Sequence, residues 1–384
     1  MNIKLILRAI LIMIITTICC SYFGQILLEI IERTKDYYKY LIFLVPFALL
    51  ITKQSYKVTK TNTVNMKYII QNSKEQTEKI SWYFPMLLTI NTLLAHALGV
   101  SVGREGVAVQ LGGAIGSNLS DKKFTKEQKN FLVRLGMICG FAALFQTWLA
   151  AFFFILEITK RKVKLTAKTI VEFLVYLLLA YFSTKLSHKL GLEKFFVEVD
   201  FNFSSLSPYI ILKILLGTIL AVLVGIIFVI VQKYFKKIVL KNTKVPWLLT
   251  FIFMLIAILV AYRYNSLGTN LIGMVFSNEK IESYDFILKL LLTALCTAVG
   301  FSGGEVTPLF AIGATFGVFF ATTLGVPVLI MAGLCYALVF SAATKTFLTP
   351  IFLILEVFGF KLMLLAIVPS LLIYFINKKW SIYG

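Results

Sequence analysis

The sequence predicts an all-α, polytopic membrane protein made of two related halves. Three features carry that prediction: an apolar composition, apolar runs of membrane length along the chain, and an internal duplication. Of 384 residues, 59% are hydrophobic and 15% charged, with a mean hydropathy of +0.87, against roughly 45–50% apolar and 25% charged for a soluble domain. A helical span takes about 20 mostly apolar residues, and such runs recur with short polar connections between them. Backbone in lipid must satisfy its hydrogen bonds within the segment, so helix is the spanning form.

Membrane segments are expected near residues 3–31, 38–52, 81–99, 104–118, 129–145, 147–158, 165–190, 208–235, 246–262, 283–300, 306–324, 327–341, 346–358 and 361–377. The first starts MNIKLILRAILIMIITTICC, with the basic residues and apolar core of a signal peptide, but its apolar pattern continues to about Ile31, which favours a retained helix. Several later segments are too short, or too broken by glycine, to cross about 30 Å of hydrocarbon. Interrupted backbone at that depth is tolerated only where protein covers it or where it lines a polar cavity. Function is therefore expected in the short pieces.

The duplication supports this. FAALFQTWLAAFFFILE (141–157) aligns without a gap on FSAATKTFLTPIFLILE (340–356), pairing Thr147 with Thr346, Leu149 with Leu348 and Phe153 with Phe352. The closing glutamates, Glu157 and Glu356, are 199 residues apart. Upstream, GREGVAVQLGGAIG resembles GGEVTPLFAIGATFG, with Glu105 and Glu305 separated by 200 residues. Each half thus has a glycine-rich segment carrying Glu, followed by a short Thr-containing helix that ends in Glu. Duplicated halves with glycine-broken helices point to a transporter whose site lies at the repeat interface near the midplane. Half-helix N-termini there offer N–H groups and the positive end of a dipole, and small residues let backbones approach closely. The expected ligand is an anion.

The net charge of +20 falls in short loops: Lys53, Lys57 and Lys60; Lys122, Lys123, Lys126 and Lys129; Lys160, Arg161, Lys162 and Lys164; Lys236, Lys237, Lys241 and Lys244. Such clusters read as cytoplasmic loops beside anionic lipid rather than as a nucleic-acid surface. Cys19, Cys20, Cys139, Cys296 and Cys335 all lie in apolar segments without metal-ligand spacing and are expected to be small buried hydrophobes. His96 has no partner at ligand spacing and reads as a core histidine rather than a metal ligand. A membrane-embedded enzyme is disfavoured, because no Ser-His or Ser-Lys arrangement, metal cluster or aspartate pair stands in the apolar helices.

GREGVAVQLGG resembles the GREG signature of the CLC family of chloride channels and anion/proton antiporters. GGEVTPLFAIG stands where that family has its second anion-binding loop, and SIYG at the end is similar to its Tyr-containing C-terminal stretch. The resemblance runs in order from about residue 80 onward. It implies a CLC-type inverted repeat of tilted and broken helices, with a first half at about 1–190 and a second at about 208–384. It also implies a multi-pass protein of the cell membrane, a homodimer with one anion pathway per subunit, and no cofactor. In that pattern the GREG glutamate, here Glu105, is a gate: its carboxylate competes with the anion and takes up a proton when it leaves. The positions carried over to the anion pathway are Gly103, Arg104, Gly106 and Val107, then Gly304, Glu305, Val306 and Thr307, and Tyr383. Independently, an ionisable group inside a membrane is costly and marks function, and helix N-termini would stabilise a carboxylate there as they would a halide. The chain stops at Gly384, directly after Tyr383, so a single transmembrane domain without a soluble C-terminal regulatory domain is expected.

The departures from the family pattern are informative. Val107 replaces the proline after GREG, Glu305 and Thr307 lie within Gly304-x-Val306-x-Pro308, and TNTVNMKYII stands where the first serine-containing loop belongs. These resemble the divergent bacterial branch that exchanges fluoride for protons. In that branch a methionine replaces the central serine, which nominates Met66. The hydroxyl of Thr307 can donate to a small, strongly hydrated anion. The alternative is a chloride channel or chloride/proton antiporter on the same fold.

The two short helices are expected to begin Thr-Pro, yet the chain has Thr147-Trp148 and Thr346-Phe347. Lost prolines leave helix starts less fixed and keep a non-transporting scaffold as a further reading. Arg104 reads as a salt bridge or loop anchor before a direct anion ligand, and Glu157 and Glu356 as structural before proton relays. Glu305 is either a pathway carboxylate or an N-terminal cap. Asn91, Gln110 and Thr293 are expected to form interhelical hydrogen bonds.

Overall fold

The computed structural model describes residues 3–61, 65–75, 79–159 and 166–384. The first half runs α1 (Ile3–Thr34), α2 (Tyr38–Leu41), α3 (Val45–Val58), α4 (Met66–Asn72), α5 (Tyr83–Ala97), α6 (Glu105–Asn118), α7 (Lys126–Phe145), α8 (Trp148–Ile158) and α9 (Ala167–Lys189). The second runs α10 (Pro208–Lys241), α11 (Val245–Leu259), α12 (Thr269–Phe276), α13 (Asp285–Val299), α14 (Val306–Leu324), α15 (Val328–Thr344), α16 (Thr349–Phe358) and α17 (Phe360–Ile376). The expected apolar segments are helices, with two differences. Residues 38–52 are split where Pro46 starts α3 afresh, in the first-turn position that suits proline. The short helices α4 and α12 were not expected: at 7 and 8 residues they are too short to stand out as membrane segments, and burial of Ile69 and Ile70, and of Leu271, Ile272 and Val275, holds them. Cys19 is exposed while the other four cysteines are buried. The basic cluster from Lys160 to Lys164 lies outside the described residues.

Four helical stretches among the described residues are long and apolar enough to cross a membrane: Ile3–Val58, Ala167–Lys189, Pro208–Lys241 and Val306–Leu324. By contrast α8 has 11 residues and α16 has 10. At about 1.5 Å per residue they cover roughly half of a hydrocarbon core of about 30 Å.

The two halves pack in the same way. In α6 a Cβ at Gly112 would stand 2.0 Å from the Gly136 carbonyl of α7, and one at Gly116 2.3 Å from that of Leu132. In α14 a Cβ at Gly313 would stand 2.2 Å from the Cys335 carbonyl of α15, and one at Gly317 2.7 Å from that of Met331. The four-residue spacing puts each pair on one helix face, and backbone meets backbone there. Gly313→Ala is expected to cost about 1–3 kcal/mol, because the obstructing atoms belong to a helix that cannot yield locally. Gly273→Ala, in α12 with nothing within 4 Å of its Cβ, is the control and should leave the melting temperature in detergent unchanged. Equal melting of the two variants would refute the close-packing account.

The short helices α8 and α16 lie side by side, with Phe153 stacked on Phe352 at 4.0 Å and 6°, and each closes the other's N-terminus. Glu157 accepts the N–H groups of Phe347 (2.7 Å), Leu348 (3.0 Å) and Thr349 (2.9 Å), and the Thr349 hydroxyl (2.5 Å). Glu356 accepts those of Leu149 (3.3 Å) and Ala150 (2.8 Å). The structural reading of both glutamates matches this geometry. One expectation needs correction: α16 does begin Thr-Pro, as Thr349-Pro350, with proline in its first turn. Gap-free alignment to Thr147 hid this, because α16 starts later in its repeat than α8 does; the backbone N–H groups ahead of it are already bound by Glu157.

Candidate functional site

Two glycine-rich loops, one from each half, bring the N-termini of α6 and α14 together. Gly103 and Gly304 form an isolated antiparallel bridge, with Gly103 N–H donating to Gly304 O at 2.5 Å and Gly304 N–H to Gly103 O at 2.7 Å. Side chains have no room there: a Cβ on Gly103 would lie 2.9 Å from Pro308 and one on Gly304 3.1 Å from the Gly106 nitrogen. The bridge thus sets two helix N-termini, with their free N–H groups and positive dipole ends, against each other inside the protein.

Glu105, the first residue of α6, is fully buried. Its Oε2 accepts the backbone N–H of Thr307 at 3.2 Å and also the Thr307 hydroxyl. Its Oε1 is 3.5 Å from Arg104 Nε and has no hydrogen-bond partner among the described residues. The carboxylate therefore occupies the start of α14, on donors that would serve a free anion equally well. Arg104 is 12% exposed in its side chain, and its Nε and Nη1 are buried without hydrogen-bond partners among the described residues. It accompanies the carboxylate as an ion pair at long range. Val107 and Val306 are buried beside the bridge.

Below the bridge is a cavity of about 360 Å³ lined by Met66, Gly106, Gln110, Glu305, Lys236 and Tyr383, among others. Lys67, an exposed residue, also lines it. Glu305 does not cap α14 with its side chain. Its Oε1 accepts from Gln232 Nε2 at 2.7 Å, and Gln232, buried on α10, also donates to Thr297 at 2.9 Å. The cap reading of Glu305 is thereby replaced by a carboxylate on the cavity wall. Tyr383 is placed by the segment after α17: Ile382 N–H donates to Ala343 O at 3.0 Å and Asn377 Nδ2 to Ala342 O at 2.6 Å. The Tyr383 hydroxyl is buried without a partner among the described residues. Met66 opens α4, whose N-cap Asn65 accepts from Tyr68 N–H at 3.1 Å; Asn62 to Val64, just before it, lie outside the described residues.

The structure thus brings Gly103, Arg104, Glu105, Gly106, Gly304, Glu305 and Thr307 together around one bridge, with Met66 and Tyr383 on the adjoining cavity. Asn91 donates across helices to Ser55 at 3.0 Å, and Thr293 bonds Ser101 at 2.9 Å, while Gln110 turns back on its own helix to Gly106 O at 3.0 Å. His96 is fully buried, with Nδ1 2.7 Å from Ser266 Oγ. Sequence reasoning did not single out Gln232 or Lys236 as site residues, since one amide in an apolar helix and one lysine in a basic run carry no distinguishing signal. It also left open which phenylalanine flanks the site. Phe310, three residues after Thr307, stacks on Tyr336 at 4.3 Å and packs against Phe145 at 5.1 Å.

Comparison with known proteins places this geometry. The profile of the family described as voltage gated chloride channel matches residues 44–378. A chloride/fluoride channel protein of Pseudomonas syringae pv. tomato is 28% identical over 320 residues, which is 78% of this chain and 67% of its own length. An H(+)/Cl(-) exchange transporter of Vibrio cholerae is 26% identical over 231 residues, 57% of this chain and 48% of its own. The crystal structure of a CLC-type fluoride/proton antiporter superposes with a TM-score of 0.91 at 34% identity, covering 99% of this chain and 97% of that one. A slow cyanobacterial Cl-/H+ antiporter shares the fold, with a TM-score of 0.79 at 18% identity over 98% and 96% of the two chains. Matched over most of its length, this polytopic membrane protein belongs to the voltage-gated chloride channel (CLC) family.

Proposed function

We propose that this protein is a proton-coupled fluoride antiporter of the cell membrane, working as a homodimer with one pathway in each subunit. The observation that carries the reading is the buried Glu105 carboxylate on the Thr307 amide and hydroxyl: an anionic oxygen tethered in a seat of anion donors. In this reading a proton from outside neutralises Glu105. The neutral group is a weaker acceptor than the carboxylate, so it leaves, and fluoride takes the Thr307 donors. Glycines at 103, 106 and 304 let the anion approach backbone, and Arg104 favours negative charge beside them. Glu305, held by Gln232, and Tyr383 line the cavity that also carries Lys67 and Lys236. Fluoride is favoured over chloride by the Thr307 hydroxyl, by Val107 in place of proline and by Met66 on the cavity wall, in line with the 34% identical fluoride/proton antiporter. Chloride/proton exchange is the second reading, favoured by the Vibrio relative.

The test is efflux from proteoliposomes, with fluoride and chloride electrodes and proton uptake followed in the same vesicles. Fluoride efflux with coupled proton uptake is expected. Chloride efflux of equal or greater rate would move the protein to the chloride branch, and silence towards both ions would leave a scaffold.

A further inference from the structure

Helix α13 carries a lysine in the protein interior that the transport reading does not use. Lys289 is fully buried, and its Nζ bonds Ser101 Oγ at 2.9 Å, Tyr264 O at 2.9 Å and Ser266 O at 2.8 Å. An ammonium has three donors, and all three find oxygen. Among the described residues no carboxylate pairs with it: Asp285, one turn earlier, is held by Arg263 at 2.7 Å and the Tyr264 hydroxyl at 2.5 Å. The side chain runs beneath Gly268, where a Cβ would meet Lys289 Cε at 2.7 Å. An amine at such depth without a carboxylate partner is costly to keep charged, so what it holds in place matters.

It holds the loop in front of Glu105. Ser101, four residues before Glu105, bonds both Lys289 and Thr293, the latter at 2.9 Å. The same loop is tied at Gly99, whose carbonyl accepts Ser266 N–H at 3.1 Å, and through His96, bonded to Ser266 Oγ at 2.7 Å. Lys289 joins this loop to the turn at 264–266 and to α13, beside the direct bonds made by Gly99, His96 and Thr293. No side-chain cap fixes the start of α6, so the reach of Glu105 to Thr307 depends on where residues 101–104 are set.

We propose that Lys289 is the positioning residue of the gate: through Ser101 it sets the 101–104 segment so that Glu105 meets Thr307 across the Gly103–Gly304 bridge. This rests on the reading of Glu105 as the gate.

The test reconstitutes wild type, Lys289→Met, Ser101→Ala, the double variant and Thr293→Val, and records halide efflux and proton uptake together with melting temperature. Ser101→Ala removes the bonds of Ser101 to both Lys289 and Thr293 while Lys289 keeps its two carbonyls; Thr293→Val removes only the second and leaves the Lys289 bond intact. Because small misplacement of reacting groups is amplified in rate, Lys289→Met is expected to slow coupled efflux about tenfold and Ser101→Ala about threefold. Both should lower the proton-to-anion ratio, the double variant should be no worse than Lys289→Met, and Thr293→Val should couple like wild type. Lower melting with wild-type ratio and half-saturation in Lys289→Met would make the lysine a fold element only and overturn the proposal. If Lys289→Met does not assemble, Ser101→Ala decides, and wild-type coupling in it also overturns the proposal. Wild-type vesicles that move halide without protons would instead remove the gate reading, and the proposal with it.

Discussion

Glu105→Gln is expected to separate anion movement from proton movement. The glutamine matches the carboxylate in size and can still accept from Thr307 through its carbonyl oxygen, but it carries no charge and takes up no proton. The wild-type carboxylate holds two donors of Thr307 on one oxygen in a fully buried site, where charge-assisted hydrogen bonds are roughly twice as strong as neutral ones. Losing the charge weakens the surrogate's hold on the seat and removes the group whose protonation releases it. Proton uptake driven by a fluoride gradient should fall to the background of empty vesicles, a loss of at least about tenfold on the scale of about 1.4 kcal/mol per decade, while fluoride efflux changes rate and no longer depends on the proton gradient. Proton uptake and fluoride efflux both equal to wild type would sink the assignment of Glu105.

Glu157→Leu should be the more damaging of the two cap removals. It would strip acceptors from three backbone N–H groups and a hydroxyl at the start of α16, whereas Glu356→Leu strips two N–H groups at the start of α8. A buried donor left without an acceptor costs about 1–3 kcal/mol, so about 3 kcal/mol is expected for Glu157→Leu and about 2 kcal/mol for Glu356→Leu, the partial exposure of Glu157 keeping its value low in the range. Thermal unfolding in detergent reads the order directly. The proton-relay alternative is tested by Glu157→Gln, which keeps one acceptor oxygen but cannot pass a proton: coupled transport should survive in it, and loss of coupling at wild-type stability would revive the relay.

Much of this was legible in the chain itself. Composition and segment length require a helical membrane protein, because lipid leaves backbone no other way to satisfy its hydrogen bonds. Self-similarity placed Glu105 opposite Glu305 and Glu157 opposite Glu356, since duplicated halves keep duplicated residues at one separation. The glycines of α6 and α14 were visible as interruptions. Which backbone each glycine meets was not, because contacts such as that of Gly313 with Cys335 O join segments that local pattern cannot relate.

The proline that starts α16 was misread for a related reason. Alignment fixes which residues correspond, but the start of a helix is set by where its first N–H groups find acceptors, and for α16 the acceptor is a glutamate 192 residues earlier in the chain, bonded to Thr349. Glu305 was likewise undecided in sequence between cap and pathway group. Its side chain bonds Gln232 on α10, 73 residues away, at the cavity wall and not the N–H groups that open α14.

By itself, then, the sequence determined the class of solvent, the helical architecture, the two-fold repetition and the ionisable residues that a membrane interior does not tolerate without cause. Those follow from transfer free energies and backbone hydrogen bonding, which act residue by residue. Only the tertiary structure decided that Glu105 rests on Thr307, that Gly103 and Gly304 lock two loops into one bridge, and that Lys289 ties down the approach to it. These are pairings over long separations, fixed by which helix packs on which, and no local pattern of residues encodes them.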